Sequence, residues 1–356
     1  MVTQYSHIYE ETRQAIDQWL ASVFSQLSAS QTIAVFGAGP YARYLVQWLK
    51  TKGIKQVLFV VTVPRAASLD DTMIISLAEL QEHQVDVILA GSLANPAGQQ
   101  LALQQLGIKL PFYALEGGAF LCSEPRENPC NLAQLTALKG AHQGQTFFAI
   151  GNGPSLDQTP PEAIKTGILL GGNGILLRKN FIPDYYFLLD EEALEIWGSQ
   201  IEALTCPKLI PSHLHFQYGL GPDRIYFPAC FQYKNNNSIV DPYQLGIPSG
   251  GTIISTMLHF AVYMGAKRVV LIGVDNNYCG DHKQTHFTPN YCSDYYAKLY
   301  PRLEDKEAKR LALIHSSGIL KAANLAKMNG INVVDATPVV NNLGLNKVKF
   351  ADFIDT

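Results

Sequence analysis

Polar side chains stand at the ends of four apolar runs in the second half of the chain. Phe147-Phe148-Ala149-Ile150 runs into Gly151-Asn152-Gly153-Pro154-Ser155, and Ile168-Leu169-Leu170-Gly171-Gly172 ends on Asn173. Tyr185-Tyr186-Phe187-Leu188-Leu189 ends on Asp190, and Arg268-Val269-Val270-Leu271-Ile272-Gly273-Val274 ends on Asp275, followed by Asn276, Asn277 and Tyr278. Glycines closing a buried strand let backbone N–H groups come close to an anion. Ser249, Gly250, Gly251 and Thr252 precede an apolar stretch, where orphan N–H groups and the helix dipole can seat a phosphate. His286 and His315 are imidazoles, the side-chain type whose ordinary pKa suits a general base. Asp190 and Asp275 suit Mg²⁺. Each residue also has an ordinary reading: a tight turn, an N-cap, an Asp bonded to its own turn, a histidine on a helix face. Two histidines without a clear third ligand do not predict a metal site.

The elements that must position these residues alternate. Strands are predicted at 147–150, 167–173, 183–190, 225–227, 268–275 and 331–338. Helices are predicted over Ile253–Met264 and over Lys306–Met328, the latter interrupted at His315-Ser316-Ser317-Gly318. Residues 231–241, with Asn235-Asn236-Asn237, read as a polar loop and candidate lid. In an open α/β sheet, ligands bind at the carboxyl ends of the strands, so repeated polar strand ends point to one shared site.

The first half is organised separately. Ile16, Leu20, Val23, Phe24 and Leu27 form an apolar stripe on a helix from about Ile8 to Leu27. It reads as a face packed on the next domain, with a dimer contact as the alternative. Thr32–Phe36 then leads into Gly37-Ala38-Gly39-Pro40-Tyr41-Ala42, a strand running into G-x-G-x-x-A and a helix through Lys50, with further strands at 57–61 and 85–90. A dinucleotide site would place an acid at the end of the second strand, but that strand ends Val61-Thr62-Val63-Pro64. A structural Rossmann module stands beside NAD binding as the reading. The predicted architecture is α/β, two Rossmann-like domains each with a mainly parallel sheet flanked by helices. The expected boundaries are 1–28 for the N-terminal helix, 29–116 for the small domain, 117–144 for a linker and 145–356 for the larger domain.

Composition narrows the function class. The chain has 356 residues, 47% hydrophobic and 16% charged, with a formal net charge of -3. That charge gives no electrostatic case for nucleic acid. Cys122, Cys130, Cys206, Cys230, Cys279 and Cys292 contain no C-x-x-C pair, which fits free thiols in a reducing compartment. No stretch reads as a signal peptide or a transmembrane segment, so a cytoplasmic protein is expected.

Taken in order, G-N-G-P-S-L, the Asn after the next strand, P-D-Y-Y-F-x-x-D, S-G-G-T, and L-I-G-V-D-N-N-Y followed by H-F-T-P-N-Y carry a resemblance. Residues 145–338 are similar to the superfamily joining 6-hydroxymethylpterin pyrophosphokinase-like (MptE-like) proteins with the motility-associated-factor glycosyltransferases. More distantly they resemble bacterial sialyltransferases that use a CMP-activated sugar. The resemblance implies that Asn152 and Asn173 hold a cytidine nucleotide, that Ser249 and Gly250 sit at its phosphate, and that His315, followed by Ser316, is the general base. His286 is the second choice. The phosphate-binding tyrosine position falls on Asn277, with Tyr278 adjacent.

Three functions remain in view. The first is a metal-independent glycosyltransferase that takes a nucleotide-activated sugar, cytidine favoured, in bacterial surface-glycan synthesis. Gly151, Asn152, Gly153, Ser155, Asn173, Asp190, Ser249, Gly250, Gly251, Thr252, Asn277 and Tyr278 would bind the nucleotide, and His315, His286 and Asp275 would do chemistry. The second is pyrophosphoryl transfer from ATP to a pterin-like alcohol, with Asp190 and Asp275 holding Mg²⁺. The third is a nucleotide-binding scaffold without catalysis. A homo-oligomer is compatible with all three.

Overall fold

The computed structural model describes residues 10–62, 64, 66–92, 96–115, 129–214, 218, 222–230, 247–248, 250–278, 285–291 and 305–354. The candidate lid at 231–241 and Ser249 lie outside them. The chain divides into two compact units, one comprising Met1–Glu124 with His213–Gly219, the other Pro125–Ser212 with Leu220–Thr356. Each contains a sheet dominated by parallel pairs and flanked by helices, the architecture predicted from the sequence.

The first unit begins with α1 (Glu10–Phe24), β1 (Thr32–Phe36) and α2 (Pro40–Thr51). The predicted stripe of α1 is buried at Ile16, Leu20 and Val23. It packs on α2, where Phe24 meets Trp48 edge-on at 5.7 Å and Tyr44 donates to Asp17. Then come β2 (Gln56–Val61), β3 (Ser68–Leu69), β4 (Thr72–Ser76), β5 (Val87–Ala90), α3 (Pro96–Gln105) and β6 (Phe112–Tyr113). The sheet order is β3-β4-β2-β1-β5-β6, with one antiparallel pair, β3 with β4. That hairpin turns through Asp70 and Asp71 at φ 47° and 55°, the left-handed pair a two-residue turn requires. The G-x-G turn after β1 has a packing role of its own. Gly37 lies against Gly91, where a Cβ would stand 2.9 Å from that of Ala42.

In the second unit α4 (Pro129–Ala137) falls inside the stretch read as a linker and packs against β11. Its Asn131 brackets Tyr226, accepting from the amide at 2.7 Å and donating to the carbonyl at 3.0 Å. The remaining elements are β7 (Thr146–Ile150), β8 (Ile168–Gly172), β9 (Tyr185–Phe187), α5 (Glu191–Glu202), β10 (Lys208–Pro211), β11 (Arg224–Phe227), β12 (Ala229–Cys230), β13 (Ile247–Pro248), α6 (Ile253–Tyr263), β14 (Arg268–Ile272), α7 (Asp305–Met328), β15 (Asn332–Asp335) and β16 (Asn346–Lys347). Eight strands form one sheet in the order β11-β10-β9-β8-β7-β14-β15-β16, every pair parallel.

The chain leaves β7 toward β8 on one side and returns to β14 on the other, so the order reverses at β7. Such a switch point opens a crevice at the carboxyl ends of the two strands. Phe147, Phe148, Ala149 and Ile150 are all buried, the continuous apolar run of a strand covered on both faces. Helix α6 is buried along its whole length, packed between β7 and α7, which is why it is apolar all round. Among the described residues, no helix is long and apolar enough to cross a membrane. Helix α7 runs unbroken through His315–Gly318, correcting the interruption predicted there.

His259 lies inside α6, and burial lowers its pKa from 6.5 to about 4. Between those values the unfolded chain takes up the proton and the folded chain does not, so stability falls as pH drops through that window. The full effect is about 3 kcal/mol. Melting temperature measured from pH 7 to pH 4 should fall more steeply for the wild type than for His259→Gln. Parallel curves would show that this imidazole is not what acid attacks.

Candidate functional site

The strand-end residues of the second unit meet at the carboxyl edge of the sheet. At the switch point, Gly151 donates its N–H to the Ile272 carbonyl at 2.8 Å, and Gly153 to that of Gly273 at 2.9 Å. A Cβ on Gly151 would stand 2.8 Å from the Gly273 carbonyl carbon, and one on Gly153 would run into the Asp275 carboxylate. These glycines are therefore required by the chain itself, because the ends of β7 and β14 close on each other there.

Asp275 and Ser155, named as separate site residues, form one unit. The Ser155 hydroxyl donates to Asp275 Oδ2 at 2.7 Å and its amide to Oδ1 at 3.2 Å. Burial raises the pKa of Asp275; the Ser155 hydrogen bonds oppose this shift, and nearby Asp335 adds to it. The pair ties the 3₁₀ turn Pro154–Gln158 to the end of β14.

Two asparagines line the edge on the β8 side. Asn152 Nδ2 donates to the Gly172 carbonyl at 3.1 Å. Asn173, left-handed at φ 48°, donates through Nδ2 to Asp190 Oδ2 at 2.8 Å. The Tyr186 hydroxyl fixes the Asn173 carbonyl at 2.8 Å. Both side-chain oxygens, Asn152 Oδ1 and Asn173 Oδ1, are buried and, among the described residues, without a hydrogen-bond partner. A buried carboxamide oxygen left unmatched costs free energy, so two at one sheet edge are acceptors awaiting donors.

The turn before α6 closes a third side. Gly250 and Gly251 are left-handed at φ 57° and 75°, and Thr252 caps the helix, accepting from the Ile254 amide at 3.4 Å. The turn is pressed onto α7. A Cβ on Gly318 would stand 2.9 Å from Gly250 Cα and overlap its carbonyl oxygen, and one on Gly251 would lie 3.4 Å from His315 Cδ2 and 3.9 Å from Nε2. His315 thus turns its Cδ2–Nε2 edge toward the helix start. Its other nitrogen, Nδ1, is hydrogen-bonded to the Tyr278 hydroxyl, the rings meeting edge-on at 5.0 Å. Burial lowers the pKa of His315 and raises that of Tyr278. Asn276 grips the same helix, donating to Ser316 Oγ at 2.6 Å and to the Ala312 carbonyl at 3.2 Å. Asn277 between them is exposed.

His286 lies on the Asn173 side, apart from this pairing. Its ring stacks on Tyr291 at 3.7 Å and 9°, and Tyr291 meets Trp197 edge-on at 5.1 Å. A Cβ on Gly174 would overlap the Tyr291 ring, and the Phe287 amide donates to the Asn152 carbonyl at 3.0 Å. The 285–291 segment is thereby fixed over the β7 and β8 ends.

Sequence reasoning missed three supports. Tyr291, the last residue of H-F-T-P-N-Y, stacks on His286, and Trp197, which no motif marks, packs on Tyr291 in turn. Asp335, buried at the end of β15, accepts from the Thr337 amide and from Asn341 Nδ2 at 2.8 and 2.7 Å. Asn341 and Thr337 then hold the Val274 carbonyl and amide at 2.8 and 3.1 Å. Asp335 carries the same signature as Asp190 and Asp275, a carboxylate closing an apolar strand, and was legible on that ground. Among the described residues, no cluster of three or more His, Cys, Asp or Glu side chains is arranged as metal ligands.

No protein-family model matches the chain, and no curated protein does. A solved structure similar to it is the sialyltransferase CstII from Campylobacter jejuni in complex with a substrate analogue, cytidine-5'-monophosphate. The two are 13% identical, the match covers 58% of this chain and 85% of that one, and the TM-score is 0.37, a likeness too low to carry function.

Proposed function

We propose that the second unit is a nucleotide-sugar-dependent glycosyltransferase, with a CMP-linked nonulosonic acid or a related sugar as donor. The observation that carries this reading is the meeting, at one sheet edge, of two buried asparagine oxygens, unpartnered among the described residues, with a histidine poised at a helix start. Asn152 and Asn173 would accept from nucleoside N–H and O–H groups. Gly250–Thr252 and the first N–H groups of α6 would face the phosphate. Asp275 and Ser155 would keep the switch point open by holding the β7 and β14 turns in register.

In the reaction, the bond from the anomeric carbon to the phosphate oxygen breaks, and its electron pair stays on the phosphate. An acceptor hydroxyl bonds to that carbon and gives its proton to a base. Donors aimed at the phosphate stabilise the charge that develops there. The motif resemblance assigns the base to His315, with His286 as the second candidate. Pyrophosphoryl transfer is less well supported. Asp275 has both oxygens on Ser155, so this carboxylate is engaged within the fold and is not poised for Mg²⁺.

Thermal shifts with CMP, CDP, ATP and NAD test the reading, because a ligand that binds the native state raises its melting temperature. CMP or CDP should raise it and ATP should not. Asn152→Ala should shrink the cytidine-nucleotide shift by weakening binding about tenfold, the loss of roughly one hydrogen bond. An ATP shift that requires Mg²⁺, with none from CMP, would replace glycosyl transfer by pyrophosphoryl transfer. An unaltered CMP shift in Asn152→Ala would remove that residue from the nucleotide site.

A further inference from the structure

We infer that Tyr278 fixes His315 as the tautomer carrying its proton on Nε2, so that the imidazole presents an N–H, and not a lone pair, to the helix start. The inference rests on the proposed glycosyl transfer for the meaning of the N–H, though not for the tautomer itself, and it moves His315 from the base that the motif resemblance assigns to a donor at the leaving group.

Hydrogen-bond accounting decides the direction of the bond. Tyr278 and His315 Nδ1 are partners, and among the described residues the phenol has no other. Had Nδ1 the proton, it would donate to the phenol oxygen and leave the partly buried O–H with no acceptor. With the phenol as donor, the O–H and the Nδ1 lone pair are both satisfied, and only phenol lone pairs stay unmatched, the cheaper omission. A phenol is also a better donor than acceptor, and burial keeps this one protonated. A neutral ring accepting at Nδ1 must carry its hydrogen on Nε2.

That nitrogen lies on the ring edge facing Gly251. It would add a side-chain N–H to the backbone N–H groups at the start of α6, all directed to where a departing phosphate gathers charge. No proton need move: Nε2–H donates a hydrogen bond and keeps its hydrogen, as a neutral imidazole does when it serves as an electrophile. In this arrangement Tyr278 is a positioning residue and His315 assists the leaving group. The acceptor's proton passes to another base, and His286 is the candidate the sequence already supplies.

The test is nitrogen NMR of the full chain labelled with ¹⁵N-histidine at neutral pH, the His315 signals being those lost in His315→Gln. The expected spectrum shows Nε2 in the protonated, pyrrole-like range and Nδ1 in the pyridine-like range. A proton on Nδ1, or on both nitrogens, overturns the inference. Tyr278→Phe, checked for folding by its melt, should move His315 toward a mixture of tautomers. An unchanged tautomer in a folded Tyr278→Phe also overturns it. Where that variant fails to fold, the wild-type spectrum decides alone. Failure of the enzymatic reading shows elsewhere, as a missing CMP thermal shift, with the tautomer still readable.

Discussion

Replacing His315 by alanine lowers sugar-transfer turnover by about 10²–10³-fold, the loss usual for one preorganised donor at developing charge. The CMP-induced rise in melting temperature survives, since Asn152 and Asn173 are untouched. The expectation follows from where the ring stands. It is held by Tyr278 on one nitrogen and turns the other toward the Gly250–Thr252 turn, while the ring is only partly buried, so its removal leaves little unpacked. The measurement is single-turnover transfer from a CMP-linked acidic sugar, set beside the ligand-free melt. Turnover within tenfold of wild type would put His315 outside the reacting centre. A collapse of the ligand-free melt would make its role structural.

The largest effect on stability is expected at Gly318. Alanine at an exposed helical position stabilises by up to about 1 kcal/mol over glycine, but Gly318 is buried in α7, and a Cβ there would overlap the Gly250 carbonyl oxygen. That obstacle is backbone and cannot rotate away. Gly318→Ala must lift α7 from α6 or distort the Gly250–Thr252 turn, at about 3 kcal/mol, or roughly 5–10 °C in melting temperature. Gly198 in α5 is the control, since a Cβ on it meets nothing within 4 Å. Gly198→Ala should leave the melt unchanged or raise it slightly. Equal melts for the two variants would mean that α7 does not press on the turn.

The same glycine shows where sequence reading stops. His315-Ser316-Ser317-Gly318 has the composition of a helix break, yet α7 passes through it without one. Local propensity is a weak prior that packing overrides, and here the Gly250 turn before α6 lies close enough to need a residue without a side chain. Gly151 and Gly153 make the same point in reverse. Their place at the end of a buried strand was legible, but ligand approach and contact with Gly273 and Asp275 leave the same mark in a sequence.

By itself the sequence determined the α/β architecture, the strands β7, β8, β9, β11, β14 and β15 though not β10, β12 or β13, and the polar residues at the strand ends. It could do so because an apolar period and its Gly or Asp punctuation depend only on near neighbours in the chain. Tertiary structure alone decided that Asp275 belongs to Ser155, 120 residues away; that Tyr278 belongs to His315, 37 residues on; and that the 285–291 segment lies over the ends of β7 and β8, its Phe287 amide on the Asn152 carbonyl and its Tyr291 ring against Gly174. Such pairings follow from strand order and from how close two helices come. Neither quantity is written in the spacing of any one segment.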